Sequence, residues 1–439
     1  MNWKSWYLNM EINKAKYRFS DTKCSSCSMI GVWRAAGYND KSVIIFHSPK
    51  ACAHVTRELD VSSFYYDLAR GCGQRSRGIL LASNLQDQHS IFGGEEQLFA
   101  CIEYAAKQYQ PEYIMIANSC VAGIIGDDTK KVAEMAEEQV GIPVLTVPCY
   151  GFLDKNPYYA GYYYAAYALI DRFMTAKPKN KNKVTLIGDI SEITHHELAR
   201  YLQYFNLEIG GCFPSGLSLD KIKQIPASAF IITVGGKVGK TEHLWRIANL
   251  LATRFSLSVL QDAFPVGLAN TAKWLGTIGE FLDQPELAVQ AIEREKCYLD
   301  AGSTVFRKNL YHNHTAIIIG RSLEFFNPEW LFEIIVYANL RVDSIIILNV
   351  VAEKERDQLM EAIKRYTDAP IYLEKDFSAE FTALDFVLTT HELKKNSVKQ
   401  FIIPVFPPYG SNGILRSLQQ LSELKQRKNH IGRSICGTF

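Results

Sequence analysis

Along nearly the whole chain, short runs of β-branched residues alternate with stretches whose apolar positions recur every three or four residues. Lys41–His47 (KSVIIFH), Tyr113–Asn118 (YIMIAN) and Pro143–Val147 (PVLTV) have the length and flanks of buried strands. Between the last two, Asp127–Val140 places Val132, Met135, Ala136 and Val140 on one helical face. Asp127 and Asp128 at its start suit the free N–H groups and positive dipole of a helix N-terminus. The unit is strand–helix–strand, most simply parallel with a right-handed crossover.

A Lys-rich polar break, Lys177–Lys183 (KPKNKNK), reads as a linker. A second series follows: strand Val184–Gly188, helix Thr194–Phe205, strand Ala229–Val234 and helix Thr241–Phe255. After another break near Lys308–His314 comes a third, with Ala316–Ile319, Glu329–Asn339, Ser344–Leu348, Glu353–Tyr366, Phe386–Leu388 and Phe401–Pro404. Such alternation predicts an α/β protein of three Rossmann-like domains, each a mainly parallel, doubly wound sheet with flanking helices. The expected domains are residues 1–178, 183–307 and 314–439. A final helix, Asn412–Lys425, could pack on any of the three.

Composition narrows the class. The chain has 439 residues, 47% hydrophobic and 21% charged, enough apolar content for sizeable cores. Its net charge of +2 offers no electrostatic case for nucleic acid or an anionic membrane. Residues 1–20 lack the apolar core of a signal peptide, and Tyr158–Ile170 is too short to span a bilayer. A cytoplasmic, reducing setting is the resulting expectation. Ten cysteines are too few for a disulfide scaffold there, but enough to include metal ligands.

In open α/β sheets, ligands collect beyond the carboxyl ends of the strands. Cys52 follows the strand ending at His47, in the loop His47-Ser-Pro-Lys-Ala-Cys52. Cys120 follows the strand ending at Asn118, ahead of the loop Val121–Gly126, and Cys149 follows Val147. Cys24 and Cys27 form a CxxC before any clear strand. Each taken singly reads better as a small buried hydrophobe. No second CxxC and no suitably spaced His accompany the pair, which argues against zinc. Three strand-end or loop thiols in one domain fit iron–sulfur ligation better.

Other motifs carry less. Gly235-Gly-Lys-Val-Gly239-Lys240-Thr241 is one residue short of a phosphate-loop spacing and reads as a glycine turn with a helix cap. His195 and His196 read as solvated, and the aromatic stretch Tyr158–Tyr167 as core or as an interface.

Several segments together resemble the nitrogenase component 1 family: Cys27 with Gly31, His47–Cys52, and Asp87 leading to Ile91-Phe92-Gly93-Gly94. Ser119-Cys120-Val-Ala-Gly-Ile-Ile-Gly126-Asp127-Asp128 is the most specific of them. Val147-Pro-Cys149-Tyr-Gly151-Phe152 and Phe264-Pro-Val-Gly267-Leu-Ala-Asn-Thr271 are similar to later motifs. The resemblance implies a subunit of a two-component oxidoreductase with Cys27, Cys52 and Cys120 as ligands of an iron–sulfur cluster. Cys149 is a weaker candidate ligand, and Cys24, Cys72 and Cys212 have no assigned role. It further implies that a homologous subunit supplies the remaining ligands in an α2β2-type assembly. The cluster would be 4Fe–4S or a P-cluster-like 8Fe–7S. A homodimeric iron–sulfur reductase would deliver the electrons, with ATP bound only to that partner. Substrates within the family include dinitrogen, tetrapyrrole double bonds and small carbon–sulfur compounds. Where family α-type subunits place a cofactor cysteine, this chain reads Ile231-Ile-Thr-Val-Gly-Gly236, and Pro404-Val-Phe-Pro-Pro-Tyr-Gly410 offers no cofactor histidine. That departure points to a β-type subunit or to a reductase acting on another substrate, with a non-catalytic scaffold for metallocluster assembly as the alternative.

Overall fold

The computed structural model describes residues 27–69, 78–152, 154, 156–188, 190, 192–234, 242–260, 264–320, 328–377, 384–391, 393, 398–404, 407 and 409–427. Cys24, Cys72, the glycine loop 235–241, and Val405, Phe406 and Pro408 lie outside the described residues. The first series comprises α1 (Ser28–Ala36), β1 (Ser42–His47), α2 (Lys50–Ala69), β2 (Ile79–Ala82), α3 (His89–Phe92), α4 (Glu95–Tyr109), β3 (Tyr113–Asn118), α5 (Cys120–Ile125), α6 (Thr129–Val140), β4 (Val144–Pro148) and α7 (Pro157–Phe173). Next come β5 (Lys183–Ile187), α8 (Glu192–Gln203), β6 (Glu208–Phe213), α9 (Leu219–Gln224), β7 (Phe230–Thr233), α10 (Glu242–Phe255), β8 (Ser258–Leu260), α11 (Gly267–Phe281) and α12 (Pro285–Leu310). The third series holds β9 (His314–Ile319), α13 (Glu329–Ala338), β10 (Arg341–Ile347), α14 (Glu353–Lys364), β11 (Ile371–Leu373), β12 (Phe386–Thr389), β13 (Lys399–Ile402) and α15 (Gly410–Gln426).

These strands build three sheets, ordered β2-β1-β3-β4, β6-β5-β7-β8 and β11-β10-β9-β12-β13. Every described pairing is parallel. In each, the chain enters at an inner strand, winds to one edge and returns to the other side. The reversal falls between β1 and β3, β5 and β7, and β9 and β12, the places where doubly wound sheets open a crevice.

Helices on both faces explain why β1 and β3 are buried along their whole length. Successive residues point to opposite faces: Val43 and Ile45 pack with α4 and α6, whereas Ile44 and Phe46 pack with α1 and α7. The second core runs on through α10 to Ile187 and Ile231 of the next sheet. The other face of that sheet, with Leu186 and Ile232, shares one core with Ile317 and Ile345 of the third. Three sheets are thus distinct, but their apolar cores are fused. Among the described residues, no helix is long and apolar enough to cross a membrane.

Some local expectations change. On α6, Ala133 replaces Met135 on the buried face, and Met135 is 53% exposed. Asp128 caps the helix, accepting from Lys131 N at 3.0 Å, but Asp127 turns elsewhere. The terminal helix α15 packs against α11 and α12 of the second series and against α13 and β13 of the third, so it joins the two. The tyrosine-rich α7 lies between the first and second sheets, with Tyr162 buried and Tyr167 exposed. Lys179 pins the segment before β5 by donating to Pro226 O at 2.9 Å and Phe255 O at 2.7 Å.

Helices α1 and α7 touch backbone to backbone because glycine lies at the crossing. A Cβ on Gly31 would stand 2.0 Å from Tyr158 O, and one on Gly161 would stand 1.9 Å from Ser28 O. Gly161→Ala must force the helices apart. The expected cost is about 1–3 kcal/mol by urea denaturation; an unchanged midpoint would show that the contact is loose.

Candidate functional site

The carboxyl edge of the first sheet gathers the predicted thiols. Cys27 is the N-cap residue of α1, Cys52 lies in the first turn of α2, and Cys120 is the first residue of α5. Two of these segments, expected as loops, are helical: α2 starts at Lys50, directly after Pro49, and α5 starts at Cys120, with Ser119 capping it through Ala122 N at 3.2 Å. Three helix N-termini therefore present three thiols at one switch point. Free backbone N–H groups at a helix start are hydrogen-bond donors to a bound anion.

Cys27 and Cys120 are exposed and Cys52 is half-buried. Burial pushes the Cys52 thiol up; a hydrogen bond from Ser48 pulls it down, and the charges of Cys27 and Cys120 push it up again. Three thiolates bound together would repel one another, and a cationic metal core relieves that repulsion. Two buried polar atoms at the same edge, Ser28 Oγ and Asn118 Oδ1, have no hydrogen-bond partner, as beside a group yet to be bound. Among the described residues, no three His, Cys, Asp or Glu side chains are gathered as around a single ion. Cluster thiolates differ in that they attach to separate irons. The donor set fits one side of such a cluster.

Cys149 is placed differently. It is 3% exposed, donates to Val147 O at 3.6 Å, and packs in the core that α1 and α7 share. Burial holds its thiol well above the usual range, with the charges of Cys27, Asp154 and Cys120 adding to the effect. Cys212 lies on β6, half-buried against the core of the second and third sheets. His196 is exposed and His195 half-buried, with burial lowering the His195 pKa.

Around Cys120 the surface is apolar. Ile91, Phe92, Ile124 and Phe152 are 78%, 86%, 76% and 62% exposed. Helix α3, which carries the first two, packs against α5, and the Tyr150 ring covers Gly123 of α5 and stacks on Phe152. Large apolar side chains clustered in water are a common feature of interaction surfaces.

A buried His–Asp pair underlies this edge and was not apparent from sequence. His47 Nε2 meets Asp127 Oδ2 at 2.9 Å, and His47 Nδ1 meets Ser83 Oγ at 2.9 Å. The carboxylate can only accept, so Nε2 carries the proton and Nδ1 accepts from Ser83. Burial lowers the His47 pKa against the pull of Asp127, which favours the neutral ring.

Nearby, His243 in the first turn of α10 stacks on Tyr159 at 4.3 Å and meets the edge of Tyr162 at 5.3 Å. Burial pushes its pKa down from 6.5 to about 4. Because the folded value is depressed, its contribution is full above pH 6.5 and lost as pH falls toward 4. His243→Phe should flatten that part of the stability-versus-pH curve in urea titrations; an unchanged curve would contradict the burial argument.

Residues 27–377 match the family model described as nitrogenase component 1 type oxidoreductase. The chain belongs to that family. Among the similar proteins, the nitrogenase iron-molybdenum cofactor biosynthesis protein NifE of Clostridium pasteurianum is 24% identical over 358 residues. That match covers 78% of this chain and 74% of NifE. The nitrogenase molybdenum-iron protein alpha chain of Methanosarcina barkeri is 25% identical over 293 residues, covering 64% of this chain and 52% of its own length. A NifE of Methanococcus maripaludis matches over 30% of its length, so coverage of the relatives is uneven. Among solved structures, nitrogenase Cp1 at pH 6.5 superposes with a TM-score of 0.62 at 15% identity. It covers 91% of this chain and 88% of that one, a likeness of fold.

Proposed function

We propose that this chain is the cluster-bearing subunit of a nitrogenase-like, two-component oxidoreductase. Cys27, Cys52 and Cys120 hold one side of an iron–sulfur cluster, 4Fe–4S or 8Fe–7S, and a homologous partner in an α2β2-type assembly holds the other. The convergence of three cysteine-bearing helix N-termini, two of them with exposed thiols, carries this reading. When bound, the cluster supplies a one-electron relay. The chain's part is to orient it, to offer N–H groups beside its sulfurs, and to shield one side in apolar packing. The exposed apolar residues around Cys120 suit a docking protein, here the ATP-dependent reductase, whose electrons pass on to a substrate or metallocofactor.

A second reading, a scaffold for metallocluster assembly, draws on the match to a NifE over most of both chains. Anaerobic mixing of the complex with reductase, MgATP and a low-potential donor separates the two. Repeated reductase-dependent turnover of a substrate supports the oxidoreductase; a single loading and hand-over of a metallocluster supports the scaffold.

A further inference from the structure

Asp127 is tied to two other segments at once. Its Oδ2 accepts from His47 Nε2 and its Oδ1 accepts from Gly94 N, both at 2.9 Å. The two side chains of the His–Asp pair are 0% and 2% exposed. Behind His47, Ser83 Oγ also accepts from Ser48 N at 3.3 Å, and Ser83 N donates to Phe46 O at 3.0 Å. A parallel tie runs beside it, from Asp128 N to Glu95 Oε1 at 2.8 Å.

Glycine is required where these segments meet. Gly93 has φ +80°, a left-handed conformation that suits glycine. A Cβ on Gly94 would lie 2.3 Å from Leu85, 3.0 Å from Asp127 and 3.1 Å from His47. Gly126, at φ +89°, turns the chain back after α5 so that Asp127 reaches inward.

The placement of the tied segments gives them a role. Gly94 directly follows the exposed tip Ile91-Phe92-Gly93. His47 ends β1, ahead of the turn of α2 that carries Cys52. Asp127 follows α5, whose first residue is Cys120. We infer that Asp127 and His47 are positioning residues that register the exposed Ile91–Phe92 tip against the loops bearing Cys52 and Cys120. A protein docked on the tip is thereby held at a fixed distance and angle from the cluster. This inference rests on reading the edge as a cluster site served by a docking reductase.

The hydrogen-bond geometry itself discriminates. Asp127→Ala breaks both links. Asp127→Asn keeps them by reversing the tautomer: the amide oxygen accepts from Gly94 N, and the amide N–H donates to His47 Nε2. His47 Nδ1 then donates to Ser83.

The test uses the anaerobic complex with its partner subunit. Iron content, reductase affinity, and the rate of cluster reduction at saturating reductase are measured for each variant. Asp127→Ala and His47→Gln should keep iron and affinity within about twofold and slow electron transfer about tenfold, as small misplacements do. Asp127→Asn should restore most of the rate, and the His47→Gln/Asp127→Ala double variant should be no slower than either single. Phe92→Ala should instead weaken affinity and leave the saturated rate intact. Wild-type rates in Asp127→Ala and His47→Gln would overturn the inference, as would a rate loss that merely tracks lost iron, or no rescue by Asp127→Asn. In each of those results the wild-type complex still holds iron and accepts electrons, so the parent reading survives. An iron-free wild-type complex would overturn both.

Discussion

Cys120→Ser, introduced into the anaerobically purified complex with the partner subunit, is expected to strip the cluster while leaving the chain folded. Cys120 is exposed at the first position of α5, so its thiol contributes little to the core. A serine hydroxyl keeps its proton where a cysteine gives it up, and iron–sulfur clusters are held by thiolates. Even changes beyond the ligands cost about 10–100-fold in metal affinity, so iron should fall by about tenfold or more. Cys27→Ser and Cys52→Ser should behave alike. Cys297→Ser, at an exposed thiol on α12, is the control that should keep its iron. Iron counting with a circular dichroism check decides the matter. Full iron in all three ligand variants would show that these cysteines are not cluster ligands.

Glu295→Ala should be the most damaging single change to stability. Glu295 on α12 is 1% exposed and lies where α8, α12 and α15 meet. Its carboxylate accepts from Arg200 through both Nη1 and Nη2, from Tyr204 at 2.8 Å, and from Ser411. Arg200 also bonds Glu197, which accepts from Tyr201 at 2.8 Å and from the Asn412 side chain. Gly410, at φ +69°, brings the start of α15 so close that a Cβ there would lie 2.0 Å from Tyr201 Oη. Removing one member of such a buried set strands its partners and costs about 3–5 kcal/mol. Denaturant unfolding measures this, and a loss under about 1 kcal/mol would mean that water takes over the role.

The same site gives a pH dependence. Burial alone would raise the Glu295 carboxyl, but the bonds from Arg200, Ser411 and Tyr204 outweigh it and hold the pKa below 4.5. Its contribution is therefore complete above that value and lost as pH falls through the depressed native one.

What could be seen in sequence follows burial. The inner strands β1, β3, β5, β7, β9, β10 and β12 announce themselves as apolar runs because helices cover both faces. The strands that pass unnoticed, β2, β6, β8 and β11, are all at sheet edges. An edge strand has one partner and less burial, so β6 carries two glycines and β11 keeps an exposed tyrosine. The cysteines stand out by position because strand ends in a parallel sheet share one edge. The helical start of α2 hides behind Pro49, and α5 is too short for a periodic signal. The His47–Asp127–Gly94 link and the Arg200–Glu295 pair join residues far apart in the chain, and only the folded topology brings them together.

The central claim is a cluster shared between two chains. Its most direct test is iron and sulfide counting with EPR on this chain alone, on its partner alone, and on the complex, all prepared anaerobically. The account predicts a cluster spectrum and stoichiometric iron in the complex, with neither in the separate chains. A complex without iron, or a full cluster held by one subunit alone, would contradict it.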